Sequence, residues 1–160
     1  MPSLNWREKV AAWLLIVIGA IYLGLWLFST FLHERNLDTS PSSDIITISK
    51  DELNYHFRTI ITFGTCLLGG IQLLRKKKIG WVLSFIMLII FTIICGGGLY
   101  QAIKTEELGL AGIAGSGILV LLFWLVNLLL PTTRRRLGVG KNEWIRLAVL
   151  FAFYSILYFL

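Results

Sequence analysis

The residues of this chain that are most able to do chemistry are two histidines. His33 and His56 are the only histidines among 160 residues, and each borders a long apolar run. Glu34, Asp51 and Glu52 are close to them in sequence. Imidazole and carboxylate groups bind transition metals, so the pair could hold a metal ion or, as a weaker alternative, a haem. The spacing matches no specific metal motif such as HExxH. We favour two ordinary amphipathic residues at a membrane surface and expect no cofactor.

Other catalytic patterns are absent from the sequence. It contains no HExxH, no G-x-S-x-G, no pair of aspartates within an apolar run and no Gly-rich phosphate loop. Apart from Arg58 at one edge, the four longest apolar runs contain no Asp, Glu, Lys or Arg. Ionisable residues inside a bilayer are the usual marks of ion pathways and proton relays. We therefore predict no catalytic residue and no charged pathway through the membrane.

Four long apolar runs decide the fold class. A helix needs about 20 consecutive apolar residues to cross a bilayer core, and each run reaches or approaches that length. The chain is 56% hydrophobic and has a mean hydropathy of +0.76. We predict an all-α, polytopic helical bundle in a membrane, formed by residues 1–160 as a single domain. The predicted spans are residues 10–32, 57–74, 79–103 and 108–131, with an outer loop at 33–56.

A fifth apolar segment ends the sequence. Residues 144–160 carry one charge, that of Arg146, near their start. At 1.5 Å per residue the segment reaches about 25 Å, slightly less than a bilayer core of about 30 Å. Arg146 could extend its guanidinium to the lipid headgroups. We favour a fifth span, and the alternative is a re-entrant or tilted helix that ends at the cytoplasmic surface.

The charged residues are sorted by side of the membrane. With a cytoplasmic N-terminus, 11 of the 15 Lys and Arg residues fall on the cytoplasmic side and seven of the nine acids fall outside. Cytoplasmic segments carry an excess of Lys and Arg, so this orientation is predicted. The compact size and the absence of N-x-S/T acceptors favour a bacterial inner membrane. Seven residues adjoin the spans and should contact lipid headgroups rather than nucleic acid, namely Arg75, Lys76, Lys77, Lys78, Arg134, Arg135 and Arg136.

Small residues cluster in the outer halves of spans three and four. Small residues four apart let helix backbones approach closely, and three consecutive glycines weaken a helix. One interpretation is a tightly packed hairpin of the two spans. The other is a hinge or a broken helix that lines a cavity. The residues are Gly96, Gly97 and Gly98 in span three, and Ala111, Gly112, Gly115 and Ser116 in span four.

Two amide side chains fall in the inner halves of predicted spans. They are Gln72 in span two and Asn127 in span four. Such groups form hydrogen bonds between helices that contribute about 0.6 kcal/mol each on average. They could also bind a polar group of a substrate, but we favour the bonds between helices.

Three classes of function are compatible with this sequence, and no motif ties it to a family. The first is a non-catalytic accessory or structural subunit, which the small-residue clusters and the uncharged spans favour. The second is a small oligomeric transporter or channel that uses glycine-broken helices. The third is a metal or haem redox protein that uses His33 and His56. We favour the subunit, with membrane lipids and either another membrane protein or a second copy as its partners.

Overall fold

The computed structural model describes residues 5–37 and 50–159, with the helix but not the side chains given for residues 31–37, 50–52 and 159. Within these ranges all regular secondary structure is helical. The predicted outer loop lies largely outside the described residues. The described helices are α1 (Trp6–Leu37), α2 (Lys50–Leu74), α3 (Lys78–Lys104), α4 (Leu108–Leu129), α5 (Pro131–Leu137) and α6 (Lys141–Phe159).

Four of the described helices are long and apolar enough to cross a membrane. They supply the segments Trp6–Thr30, Leu53–Leu74, Lys78–Lys104 and Leu108–Leu129. Each segment contains at least 22 residues, which is enough for a bilayer core. The predicted all-α membrane bundle is therefore confirmed, and the chain is an integral membrane protein.

α3 lies in the middle of the bundle. α2 and α4 pack against it as its neighbours in sequence, α1 packs against α2, and α6 runs beside α3. The first half of α3 carries eight of the 19 buried core residues, more than any other described helix. They include Trp81, Val82, Ile86, Met87 and Leu88, each of which is fully buried.

Three helices end in the same hydrogen-bonded turn, in which a residue with left-handed backbone follows the helix. The three residues are Lys76 after α2, Glu106 after α3 and Gly138 after α5, with φ of 57°, 58° and 65°. After α2, the amide of Lys77 donates to the carbonyl of Gln72 at 2.9 Å. This pattern is the Schellman motif. It reverses the chain within a few residues and holds α2–α3 and α3–α4 as antiparallel hairpins.

Glycines allow the first three helices to approach one another closely. A Cβ atom placed on Gly19 of α1 would lie 2.9 Å from the carbonyl oxygen of Phe63 on α2. One placed on Gly70 of α2 would lie 2.6 Å from the carbonyl oxygen of Ala12 on α1. One placed on Gly80 of α3 would overlap the backbone of α2. Any larger residue at these positions would therefore push the helix axes apart.

α4 ends two residues before the predicted boundary because of a proline. Pro131 has no N–H to continue the helix, and it favours an extended conformation in the residue before it. Leu130 accordingly has ψ of 135°, and α5 begins at Pro131. The break leaves carbonyl groups at the end of α4 without helix partners. The indole Nε1 of Trp81 donates to one of them, the carbonyl of Leu128, at 2.9 Å.

α6 belongs to the bundle and is directed along α3. Its first turn places Trp144 5.4 Å from the ring of Trp81, and its last turn places the Tyr158 hydroxyl 2.8 Å from that of Thr62 on α2. At 1.5 Å per residue, its 19 residues reach about 28 Å. α6 is not among the four spanning segments, and three charged residues occupy its first two turns. A crossing by α6 stays a prediction.

Candidate functional site

One side of α4 packs against α3. Leu121, Trp124 and Leu128 recur at intervals of three and four residues and are buried, which is the spacing of one helix face. Nearer the start of α4, a Cβ placed on Gly117 would lie 3.8 Å from the Cys95 sulfur on α3. These positions define the side of α4 that faces the bundle.

The opposite side of α4 carries small residues and is open. We call Ala111, Gly112, Gly115 and Ser116 the small-residue face. At 3.6 residues per turn, Gly112, Gly115 and Ser116 point away from the α3-facing side. A Cβ placed on Gly112 or Gly115 would meet no atom of the described residues within 4 Å. Leu119, on the same side, is 70% exposed. This face therefore lies outside the bundle that the described residues form.

α3 and α4 form an antiparallel hairpin, but the glycines of the two clusters do not lie at its contact within the described residues. Cβ atoms placed on Gly96, Gly97 and Gly98 would also meet nothing within 4 Å among the described residues. The larger side chains of α3 and α4 occupy the contact between these helices, and the glycines of the two clusters lie away from it. α3 runs without interruption from Lys78 to Lys104, and the alternative of a hinge at its glycines stays a prediction.

The glycines that do make close contacts are different ones. Gly19 and Gly80, which lie at the α1–α2 and α2–α3 contacts, were not distinguished by sequence analysis. Neither belongs to a run of glycines, and neither occupies an unusual backbone conformation. Gly19 precedes Ala20 in α1, and Gly80 comes two residues after the basic cluster between α2 and α3.

The second candidate site is a small cavity at one end of the bundle. We call this end the basic end because it carries Arg7, the cluster 75–78 and the cluster 134–136. The cavity has a volume of about 70 Å³ and lies between the start of α1, the end of α4 and α5. Asn5, Arg7, Glu8, Asn127 and Thr133 supply its polar lining, and Ala11, Trp124 and Leu128 contribute apolar walls.

Asn127 joins α4 to α1 at this cavity. Its Oδ1 accepts a hydrogen bond from Nη1 of Arg7 at 3.3 Å, and its Nδ2 donates to the carbonyl of Phe123 at 2.8 Å. The rings of Trp6 and Trp124 meet edge to face beside it, 6.5 Å apart. Gln72, the other predicted intramembrane amide, makes no side-chain hydrogen bond within the described part of the chain. The two amides therefore differ in what they contact.

Glu8 is buried at the same cavity and fully engaged. Its Oε2 accepts a hydrogen bond from the backbone N–H of Asn5 at 2.8 Å, and this bond caps the start of α1. Arg136 of α5 donates to both of its carboxylate oxygens, at 3.1 and 3.2 Å. The negative charge of Glu8 is thus balanced by a neighbour, as a buried carboxylate requires. The ion pair fastens α5 to α1.

A second glutamate caps α6 in the same manner. Glu143 accepts the backbone amide of Gly140 at 2.8 Å. This hydrogen bond holds the pKa of the Glu143 carboxyl below its usual value, and the nearby charges of Lys78 and Arg146 act in the same direction. Glu143 therefore remains ionised in the folded protein at neutral pH.

The predicted headgroup clusters divide between internal contacts and the surface. Arg134 lies over the ring of Trp144, 6.0 Å from its centroid, and Arg136 is paired with Glu8. Arg135, between them, is exposed. The other cluster is exposed throughout and comprises Arg75, Lys76, Lys77 and Lys78. Their predicted contact with lipid headgroups stays a prediction.

His56 lies at the opposite end of the bundle and has a clear partner. The indole Nε1 of Trp26 donates to Nδ1 of His56 at 2.8 Å, which joins α1 to α2. Because Nδ1 accepts, the proton of the neutral imidazole is on Nε2. The side chain of His33 lies outside the described residues, so a histidine pair stays a prediction. Among the described residues, no three His, Cys, Asp or Glu side chains are grouped to hold a metal ion.

Comparison with known proteins adds no relative. No family model, no curated protein sequence and no solved structure matches this chain. The functional argument therefore rests on the small-residue face of α4 and on the cavity at the basic end.

Proposed function

We propose that this protein is a non-catalytic subunit of a membrane assembly, held to a larger membrane protein or to a second copy through α4. The observation that carries the proposal is the open small-residue face. On the side turned away from the bundle, no described side chain covers the α4 backbone at Gly112 and Gly115. Helices in lipid associate mainly by close packing, and small residues at the contact permit it. A helix that faced lipid alone would have no need of them.

The other described features are consistent with a packing role. Buried polar groups at the basic end hold the chain's own helices together, as in Arg7–Asn127 and Glu8–Arg136. α3 is continuous, and its three consecutive glycines are turned outward. They add a second open backbone surface on the neighbouring helix.

The assembly is tested by purification from native membranes in mild detergent. We expect the wild type to carry a stoichiometric partner or to have a multiple of the 18.1 kDa chain mass. Gly115→Leu should lower the recovered complex about tenfold, because overpacking at a contact typically costs about 1–3 kcal/mol and about 1.4 kcal/mol is tenfold. Gly24→Leu is the control, since Gly24 lies on α1 and a Cβ there also meets no atom of the described residues within 4 Å. A monodisperse wild-type monomer would contradict the proposal.

We further propose that the basic end faces the cytoplasm of a bacterial cell and that the protein lies in the inner membrane. The distribution of Lys and Arg supports this orientation, with 11 of 15 at the basic end. A cysteine introduced at Ser42 should then react with a membrane-impermeant thiol reagent added from outside, while one at Lys77 should not. The reverse labelling pattern would show that the basic end faces away from the cytoplasm.

A further inference from the structure

The cavity at the basic end has an uncompensated positive charge. Its two charged lining residues are Arg7 and Glu8. Both oxygens of Glu8 are occupied by Arg136, and one also accepts the Asn5 amide. Arg7 donates to the neutral amide oxygen of Asn127 and forms no ion pair with any carboxylate whose side chain the structure describes. The guanidinium has five N–H donors, so most of them remain for another acceptor.

The lining around Arg7 is suited to a small anion. Thr132 and Thr133 bring hydroxyl groups from α5, and Asn127 positions the Arg7 guanidinium by accepting its hydrogen bond. The volume of about 70 Å³ holds about two water molecules or one small oxyanion in their place. Asn5, Arg7 and Thr132 are exposed and form the mouth, while Ala11 and Leu128 are buried and form the floor. The cavity therefore has a charged entrance and a closed base.

The position of the cavity makes a lipid the nearest source of such an anion. It lies where the spanning part of α4 ends and the basic cluster of α5 begins. Basic pockets between helices at a membrane surface bind the headgroups of anionic lipids. The exposed side of α1 presents Trp6, Val10, Trp13 and Val17, and the ring of Trp6 meets that of Trp124 on the cavity wall at 6.5 Å. This apolar surface is where the acyl chains of a bound lipid would lie.

We propose that the basic-end cavity binds a phosphate group, with the guanidinium of Arg7 as the principal ligand. The phosphate is either the phosphodiester of an anionic lipid or free inorganic phosphate, which share this chemistry. Arg7 forms charge-assisted hydrogen bonds to the phosphate oxygens, and the α5 hydroxyl groups donate to those that remain. This proposal does not rest on the proposed assembly. The cavity involves the C-terminal end of α4, whereas the small-residue face lies near its N-terminal end.

Native mass spectrometry of the purified chain tests the proposal. The probes are phosphatidylglycerol, inorganic phosphate and diacylglycerol, which has acyl chains but no phosphate. Phosphatidylglycerol should bind with a stoichiometry of one, and Arg7→Gln should weaken it at least about tenfold, the expected loss for a hydrogen bond to a charged group. Binding of inorganic phosphate without binding of phosphatidylglycerol would identify a site for free phosphate. Equal binding of diacylglycerol would overturn the proposal.

Arg135→Gln is the matched control for surface charge. Arg135 is exposed at the same end and does not line the cavity. Equal losses from Arg7→Gln and Arg135→Gln would show unspecific attraction and refute the site. Thr132→Phe narrows the mouth while keeping every charge, so it should also weaken phosphatidylglycerol binding. If Arg7→Gln failed to fold, unchanged binding by a folded Thr132→Phe variant would overturn the proposal.

Discussion

Gly80→Ala should lower the free energy of unfolding by about 3 kcal/mol, the upper part of the usual range for overpacked sites. A Cβ at this position would overlap the backbone of α2 at Gln72 and Leu73. Backbone cannot rotate away as the tip of a flexible side chain can, so α2 and α3 must separate. The hairpin turn resists that separation. The backbone N–H of Lys77 donates to the carbonyl of Gln72, and that of Gly80 donates to the carbonyl of Lys77, each at 2.9 Å.

Gly97→Ala is the control for that substitution. It lies on the same helix, and a Cβ there would meet nothing within 4 Å among the described residues. Alanine favours a helix over glycine by up to about 1 kcal/mol, so this variant should be neutral or slightly more stable. Equilibrium unfolding in mixed micelles measures both variants. Similar stability for the two would mean that α2 and α3 do not meet at Gly80.

Trp81→Ala should cost about 3 kcal/mol of unfolding free energy. The side chain is fully buried, stacks on Phe85 with centroids 5.1 Å apart and meets Trp144 of α6. Truncation of a buried Trp costs about 3–5 kcal/mol in soluble proteins. The lower end applies here, because in lipid the transfer of apolar surface contributes little and the loss is one of packing contacts. The carbonyl of Leu128 would also lose its donor.

Trp81→Phe separates the hydrogen bond from the packing. This variant keeps an aromatic ring but leaves the Leu128 carbonyl unpaired, which should cost about 1–3 kcal/mol. Trp13→Ala is the control, since Trp13 is 57% exposed on α1. Its truncation should change the unfolding free energy by less than about 0.5 kcal/mol. If Trp13→Ala were as costly as Trp81→Ala, the burial assigned to Trp81 would be wrong.

The sequence was sufficient for the spans but not for the pairing of their faces. Apolar length alone marks a membrane helix, because every backbone polar group must be satisfied within it. Which glycine meets which neighbour depends on the rotation of each helix, and α3 and α4 are apolar around their whole circumference. Gly80 therefore looked less notable than Gly97, although Gly80 makes the close contact. Only the arrangement in space distinguishes the two.

The cavity at the basic end could not be predicted from the sequence either. Arg7 and Asn127 are 120 residues apart, and neither belongs to a motif. Pro131 gave a detectable signal, since a proline after an apolar run predicts the end of a helix. The sequence did not show that the indole of Trp81 would reach the carbonyl of Leu128 at that break. Such contacts depend on which helices become neighbours.

Site-specific photo-crosslinking at Ser116 in native membranes tests the proposed assembly most directly. Ser116 is exposed on the small-residue face, so a photoreactive residue there should form an adduct with a partner protein or a second copy. The same residue at Leu68, which is 52% exposed on α2, is the control and should yield little or none. A discrete protein adduct at Ser116 is the predicted result. A chain that remains monomeric at both positions would contradict a packing role for α4.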